Sequence, residues 1–272
     1  KYLTGKSSQV NLLCIMKLVK LPFFVRNINL LLTLILMVMI GGYFSIVEER
    51  SINQIYKTIS RLGMTMAIFY LEIKLRKIGC VFTFSYKHLL PLGLYVLYLI
   101  LGLASVGWST DPQYSILQWA MTFESFVFVI LFMRVVKSIN FYFPELHIDL
   151  VKTFAWAIFP IMVIFVAGSF IEPDTFYRGM RGGEEMRLGG WIMNPNELGM
   201  LSAIGAAAAY LMFTKKRGRF WYTLMLIAAV IVLALTSSRS SAIGFLAIMG
   251  ILIMLSDNIV RHLGDLNEVL FS

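Results

Sequence analysis

Charge is scarce along this chain. Asp, Glu, Lys and Arg together make up 14% of its 272 residues, whereas a soluble domain usually carries about 25% charged residues. Apolar residues make up 58% of the sequence, and the mean hydropathy is +0.77. This composition excludes an ordinary water-soluble domain and indicates an integral membrane protein.

Cysteine and histidine are also few. The two cysteines, Cys14 and Cys80, cannot form the disulfide framework of a small secreted protein, and no Cys/His spacing in the sequence fits a zinc site. The sequence also contains no internal repeat and no low-complexity linker. We therefore expect a protein that uses neither a metal nor another cofactor.

Long apolar runs predict an all-α, polytopic transmembrane bundle of about eight spans. The predicted spans are Leu30–Val47, Ile55–Ile73, Leu89–Trp108, Tyr114–Val136, Val151–Ile171, Pro195–Phe213, Phe220–Leu235 and Ala242–Leu255. The second is weak because Lys57 and Arg61 interrupt it. The stretch Asn11–Val25 is short and broken by charges, which favours an interfacial helix.

These runs predict three segments of chain. Residues 29–256 form the bundle, and residues 1–28 form a cytoplasmic or interfacial segment before it. Residues 257–272 form a cytoplasmic tail, which we expect to lead into a further C-terminal part of a longer protein.

Basic residues outnumber acidic ones by 24 to 15, for a net charge of +9. Nucleic-acid binding is one interpretation of such an excess. However, 17 of the 24 basic residues collect on one side of the predicted bundle and 7 on the other, which is the bias that cytoplasmic loops show. We therefore expect both termini in the cytoplasm, membrane lipids around the spans and no nucleic-acid partner.

Four arginines run against this bias, because they lie on two late loops of the predicted outer side. They are Arg178, Arg181, Arg187 and Arg239. Loops that share one face of a membrane can form one site, and arginine suits phosphate because its planar fork makes bidentate, charge-assisted hydrogen bonds. The two loops together therefore predict a diphosphate-binding clamp.

The first loop contains "RLGGWIMNPNELG" (residues 187–199). Asn194 fits an N-cap, Pro195 the first helical position and Glu197 the third, which predicts a helix start at the outer face. The exposed N–H groups at a helix start attract anions. The alternative is an ordinary cap with Arg187 at the lipid headgroups. The small residues that follow, Gly199, Ala203 and Ala207, predict close helix packing.

The second loop is "LTSSRSSAIG" (residues 235–244), with Arg239 between Ser238 and Ser240. An arginine at the hydrocarbon edge either snorkels to the headgroups or faces a cavity and pairs with an anion. Both alternatives stay open for Arg239 on this pattern alone.

Three other features have alternative interpretations. Trp108 and the Asp111-Pro112 turn fit an interface anchor and a structural turn. The mixed-charge stretch from Glu172 to Arg187 is either a solvated loop or the entrance to a site. Glu124, within the fourth span, is either a proton site or a glutamate that faces the bundle interior.

Three stretches resemble the family of bacterial O-antigen ligases and polymerases: "RLGGWIMNPNELG", "LTSSRSSAIG" and, more loosely, "GLASVGWSTDP". The resemblance covers about Leu89 to Leu255. It implies a GT-C-type glycosyltransferase in the bacterial inner membrane, with its active face outward. Such enzymes move a glycan from an undecaprenyl-diphosphate carrier to a glycan, lipid or, in some members, protein acceptor, without metal or nucleotide.

By this resemblance Arg187 and Arg239 are the expected catalytic residues, since they would hold the diphosphate as it leaves. We expect further substrate contacts from the polar residues of the same two loops. These are Arg178, Arg181, Asn194, Asn196, Ser238 and Ser240.

The chain departs from the family at its end. In the family, a large outer loop and further spans follow the serine-arginine motif, and that loop supplies a histidine. Here His88, His147 and His262 all fall on the predicted cytoplasmic side, where none can serve as a general base for the outer site. The acidic candidates on the outer side are Asp174, Glu184 and Glu185. The alternative function is a non-enzymatic membrane carrier, flippase-like protein or scaffold.

Overall fold

The computed structural model describes residues 27–45, 49–82, 89–179, 186–215 and 218–254. Most of these residues are helical, which confirms the all-α prediction, with one small β-ribbon as the exception. The predicted tail 257–272 lies outside the described residues, and so does the segment 1–28 apart from its last two residues.

The helices follow one another along the chain with short connections. In the described residues they are α1 (Ile28–Gly41), α2 (Arg50–Lys77), α3 (Leu89–Ala104), α4 (Pro112–Tyr142), α5 (Leu150–Ile171), the single turn α6 (Pro173–Phe176), α7 (Pro195–Thr214), α8 (Arg219–Leu235) and α9 (Arg239–Met254). Short 3₁₀ turns cover Ser105–Trp108 and Pro144–Leu146. Strands β1 (Tyr177–Gly179) and β2 (Met186–Leu188) pair antiparallel between α6 and α7.

A helix lies on each predicted span, but the helices differ in their ability to cross a membrane. Three helical segments of the described chain are long and apolar enough: Pro112–Tyr142, Pro144–Ile171 and Pro195–Thr214. Four shorter apolar helices are Ile28–Gly41, Leu92–Trp108, Arg219–Leu235 and Arg239–Met254. The helix predicted over Leu30–Val47 ends at Gly41 and is therefore shorter than expected. The structure supports a membrane protein with three candidate spans, and it does not confirm eight.

Helix α2 is amphipathic and is not among these apolar helices, because charged residues recur along its 28 residues. The charge that interrupts it, Arg61, is nevertheless buried, with 2% of its side chain exposed. Arg61 Nη2 lies 2.8 Å from Glu124 Oε2 on α4 and also donates to the Met121 carbonyl and Ser125 Oγ. Thr65 Oγ1 donates to the other carboxylate oxygen of Glu124. Glu124 therefore faces another helix and belongs to a closed polar network.

The chain divides into two compact units that are discontinuous in sequence. Among the described residues, the first unit contains 27–28, 58–82 and 89–148. The second contains 29–45, 49–57, 149–179, 186–215 and 218–254. Both arginine loops belong to the second unit, together with α1.

The second unit is built around α5, α7 and α8, which share one buried apolar core. The largest cluster includes Ile158, Phe165, Leu188, Leu198 and Val232. Small residues on α7 allow close approach, as predicted. A Cβ added to Gly205 would lie 2.8 Å from the side chain of Ile158, and Ala203 is buried. Leu188 of β2 is part of this core. Packing of Leu188 therefore holds the ribbon that carries Arg178 and Arg187 against the bundle.

Candidate functional site

Arg187 connects the two arginine loops. Its Nε donates to the Thr236 carbonyl at 2.7 Å, and its Nη2 donates to Asn196 Oδ1 at 3.0 Å. Thr236 lies in the turn between α8 and α9, and Asn196 lies in the first turn of α7. One guanidinium therefore joins β2 to the start of α7 and to the turn that leads into Arg239.

The start of α7 has the predicted cap. Asn194 is the N-cap, its side chain accepts from the Asn196 N–H at 2.9 Å, and Pro195 occupies the first helical position. Glu197 is exposed, and within the described chain it does not complete the reciprocal half of a capping box. Pro195 has no N–H group and the cap uses the Asn196 N–H, so anion binding at this helix start depends on the helix dipole and on the Glu197 N–H.

Two glycines shape the turn between Arg187 and the cap. Gly189 has φ 130° and Gly190 has φ 58°, values that side chains rarely adopt. A Cβ on Gly190 would lie 2.1 Å from the Thr175 carbonyl oxygen, and one on Gly189 would lie 2.6 Å from the Met193 carbonyl oxygen. The turn is thus tightly packed rather than loose, and it fixes the position of Arg187 relative to α7.

The serine motif forms a tight turn before α9. Ser237 has φ 49°, an uncommon value for a residue with a side chain. The buried Ser238 and Ser241 share a hydrogen bond at 2.8 Å, and Ser238 and Ser240 approach to 3.4 Å. Ser241 Oγ also donates to the Asn196 carbonyl at 3.3 Å. This last contact sets the first turns of α7 and α9 side by side.

Gly199 is the residue that allows this arrangement. A Cβ there would lie 2.8 Å from Ser241 Oγ and 3.0 Å from Ser238 Cβ. The sequence predicts a packing role for Gly199, and the structure confirms a close contact, but the contact is with the serine turn. Gly199 therefore positions the site in addition to packing the bundle.

Arg239 and Ser240 occupy the first two positions of α9 and are exposed. The N-termini of α7 and α9 both lie near the contacts of Arg187, and each has a partial positive charge. Arg239 is the first residue of α9. The buried hydroxyls of Ser238 and Ser241 lie at the contact between these two helix starts. This arrangement can bind an anion with several negative charges.

Arg178 pairs directly with Arg187 across the β-ribbon. Arg178 is exposed and Arg187 is half-buried. Like charges directly opposite each other in an antiparallel pair repel. An anion bound between the two arginines would offset this repulsion. Arg181, the fourth predicted arginine, lies outside the described residues.

The end of α1 supports the same loop, which the sequence alone does not indicate. The Ser45 N–H donates to the Ile192 carbonyl at 2.7 Å, two residues before the Asn194 cap. Phe44 packs edge-on against Phe165 of α5, with ring centroids 5.7 Å apart. No motif marks residues 42–45, so only the folded chain shows that α1 belongs with the site.

The remaining candidates lie elsewhere or are not described. His147 is exposed in the first unit, and Asp174 is exposed on α6. His88, His262, Glu184 and Glu185 lie outside the described residues. Within the described part of the chain, no group of three or more His, Cys, Asp or Glu side chains could hold a metal ion.

Comparisons with known proteins give no relative on which to base a function. A scan against protein-family models, a search of curated proteins and a search of solved structures each returned no significant match. The site is therefore interpreted from its own geometry and from the sequence motifs that form it.

Proposed function

We propose that this chain is part of a membrane glycosyltransferase of the O-antigen ligase and polymerase type. In this proposal it moves a glycan from an undecaprenyl-diphosphate carrier to a glycan or lipid acceptor. The reaction takes place at the outer face of a bacterial inner membrane. The bundle is GT-C-like, and eight helices cross the membrane: the three long candidate spans, the four shorter apolar helices and α2.

One observation supports the proposal most strongly. Arg187 donates to Asn196 and to the Thr236 carbonyl, so the two motifs that carry the family resemblance meet in one site although they are far apart in sequence. If the starts of α7 and α9 were capped only by their own residues, neither would need a guanidinium that contacts both loops. A site for a lipid-linked diphosphate does need cations from more than one loop.

The chemistry follows from where charge develops. The acceptor hydroxyl oxygen attacks the anomeric carbon of the glycan and releases its proton to water, and the bond from that carbon to the diphosphate oxygen breaks. The leaving diphosphate takes the electron pair, so its negative charge grows in the transition state. Fixed cations and helix N-termini aimed at this charge lower the barrier, because they need no reorganisation during the reaction. Arg187, Arg239 and the first turns of α7 and α9 supply them.

Glycan transfer tests the proposal. We expect that Arg187→Ala and Arg239→Ala each reduce transfer by about a hundredfold or more in membranes that contain the full-length protein. Each variant protein should accumulate to the wild-type level. The matched control is Arg219→Ala. Arg219 is exposed and begins α8, at the end of that helix opposite to the Thr236 turn, and its guanidinium carbon lies 5.4 Å from the centre of the Phe213 ring of α7. Normal transfer by both site variants would contradict the proposal.

The carrier hypothesis depends on Glu124, a carboxylate within a candidate span. Arg61 and Thr65 both donate to it, so the carboxylate is held between α2 and α4, which favours a packing role. Glu124→Gln separates the two functions. A variant that folds but loses only proton-coupled transport would favour a carrier, and a folded variant with normal glycan transfer would favour the enzyme.

A further inference from the structure

A second cationic cluster lies in the first unit, at the end of α2 and on α4. Its centre is Glu72 on α2, a carboxylate with 5% of its side chain exposed. Arg134 on α4 lies 2.8 Å from Glu72, and Arg76 lies 3.2 Å from the same oxygen. Lys137 is one turn beyond Arg134 on α4, so the two share a face of that helix.

This cluster has more positive than negative charge. Arg76 and Arg134 both pair with Glu72, and the exposed Lys74 and Lys77 lie in the same last turn of α2. Lys137 is buried, with 3% of its surface exposed, and has no described contact with Glu72. Arg134 Nε is buried and has no hydrogen-bond partner in the described part of the chain. The protein therefore satisfies this guanidinium only in part, and the cluster attracts an anion.

The position of the cluster on α4 shows which anion can reach it. Helix α4 has 31 residues and is a candidate span. About 20 residues cross the ~30 Å hydrocarbon layer. Counting that distance from Tyr114 places Arg134 at the far boundary of the hydrocarbon, next to the headgroup layer. Lipid phosphates are concentrated in this layer.

The apolar surroundings also fit a lipid. Three aromatic residues near the cluster are large and exposed: Phe69 (41%), Tyr70 (54%) and Phe141 (57%). Lys74 Nζ lies 5.1 Å from the centre of the Tyr70 ring, and Lys137 Nζ lies 5.1 Å from the centre of the Phe82 ring. Cations beside exposed aromatic rings are typical of the membrane interface.

We propose that Arg76 and Arg134, with Lys74 and Lys77 beside them at the end of α2, form a binding site for the headgroup of one anionic phospholipid. Its phosphate lies between the end of α2 and α4, and its acyl chains lie along the exposed aromatic surface. This inference does not depend on the proposed glycosyltransferase function, and it concerns different residues.

Native mass spectrometry of the purified full chain tests it, with phosphatidylglycerol and phosphatidylcholine as the probes. We expect tighter binding of phosphatidylglycerol, and a loss of about fivefold in its affinity for each cation removed. The first variant is Arg76→Gln, which removes an exposed cation and leaves the pair of Glu72 with Arg134 in place. The second is the double variant Glu72→Gln/Arg134→Gln, which removes both members of the ion pair and so avoids leaving a buried carboxylate with a lost partner.

Arg219→Gln is the control, because Arg219 is an exposed cation of the second unit. Equal binding of the two lipids, or unchanged affinity in both cluster variants, would overturn the proposal. An equal loss in the control would also overturn it, since it would indicate general surface charge. Inorganic phosphate in solution provides the last comparison. If it bound the cluster as tightly as phosphatidylglycerol, a soluble anion would replace the lipid in this account.

Discussion

Arg187 and Thr236 are 49 residues apart in sequence, yet Arg187 Nε donates to the Thr236 carbonyl at 2.7 Å. This contact joins the loop that begins α7 to the turn that begins α9. Because the same guanidinium also reaches Asn196, Arg187 both supplies charge and fixes the shape of the site.

Arg187→Lys tests whether this bridge matters beyond its charge. Lysine keeps the positive charge but lacks the planar fork that reaches two acceptors at once. We expect the affinity for undecaprenyl diphosphate to fall by about tenfold or more, measured with the purified protein in nanodiscs. Arg219→Lys should bind like the wild type. Wild-type affinity in Arg187→Lys would mean that charge alone is sufficient.

Gly190→Ala tests the tight turn before α7. Its Cβ would lie 2.1 Å from the backbone oxygen of Thr175, and the residue has φ 58°. Neither the backbone strain nor the clash can be relieved by a rotamer change, so we expect the unfolding free energy to fall by about 1–3 kcal/mol or more. Thermal unfolding in detergent measures this as a lower Tm.

Gly244→Ala is the matched control for that change. Gly244 lies within α9, and no atom comes within 4 Å of an added Cβ. Alanine there should leave the Tm unchanged or raise it slightly, because it is the better helix former. If Gly190→Ala were equally harmless, the turn would be looser than its geometry indicates.

Gly199→Ala and Gly205→Ala separate the site from the core. The added methyl at 199 would push against Ser238 and Ser241, whereas the one at 205 would push against Ile158, a buried β-branched side chain that is stiff at χ1. We expect Gly199→Ala to weaken undecaprenyl-diphosphate binding with only a small change in Tm, and Gly205→Ala to lower the Tm with little change in binding. The same pattern for both variants would refute a role for Gly199 at the site.

Arg61 and Glu124 form a buried ion pair, so removing one partner should cost more than removing both. Arg61→Met leaves an uncompensated carboxylate, and breaking such a pair typically costs about 3–5 kcal/mol. The double variant Arg61→Met/Glu124→Leu should recover most of that loss. A double-mutant cycle of unfolding free energies measures the coupling. Simple additivity of the two single variants would show that the pair contributes nothing as a pair.

Local sequence signals predict part of this structure well. The Asn194 cap and Pro195 at the first helical position each depend on neighbouring residues, and both appear where predicted. Helix α9 starts at Arg239, three residues before the span predicted from Ala242. Apolar periodicity likewise places a helix on every predicted span. These features follow from short-range backbone and solvation preferences, so one sequence is enough to find them.

Long-range pairings could not be predicted in the same way. The sequence marks Arg61 as an interruption, and only its contact with Glu124, 63 residues away, explains why the helix tolerates it. The Ser45 contact with Ile192 and the approach of Gly199 to Ser241 likewise join segments that carry no shared pattern. Such contacts depend on how helices pack, which composition and periodicity do not specify.

The most direct test of the central claim is whether Arg187 and Arg239 hold the same ligand. Affinities for undecaprenyl diphosphate should be measured for the wild type, Arg187→Ala, Arg239→Ala and the double variant. We expect each single change to weaken binding by about tenfold or more, and the double variant to deviate from the product of the two losses by a coupling of about 0.5–3 kcal/mol. Wild-type affinity in either single variant, or losses that multiply as for independent residues, would contradict a shared diphosphate site.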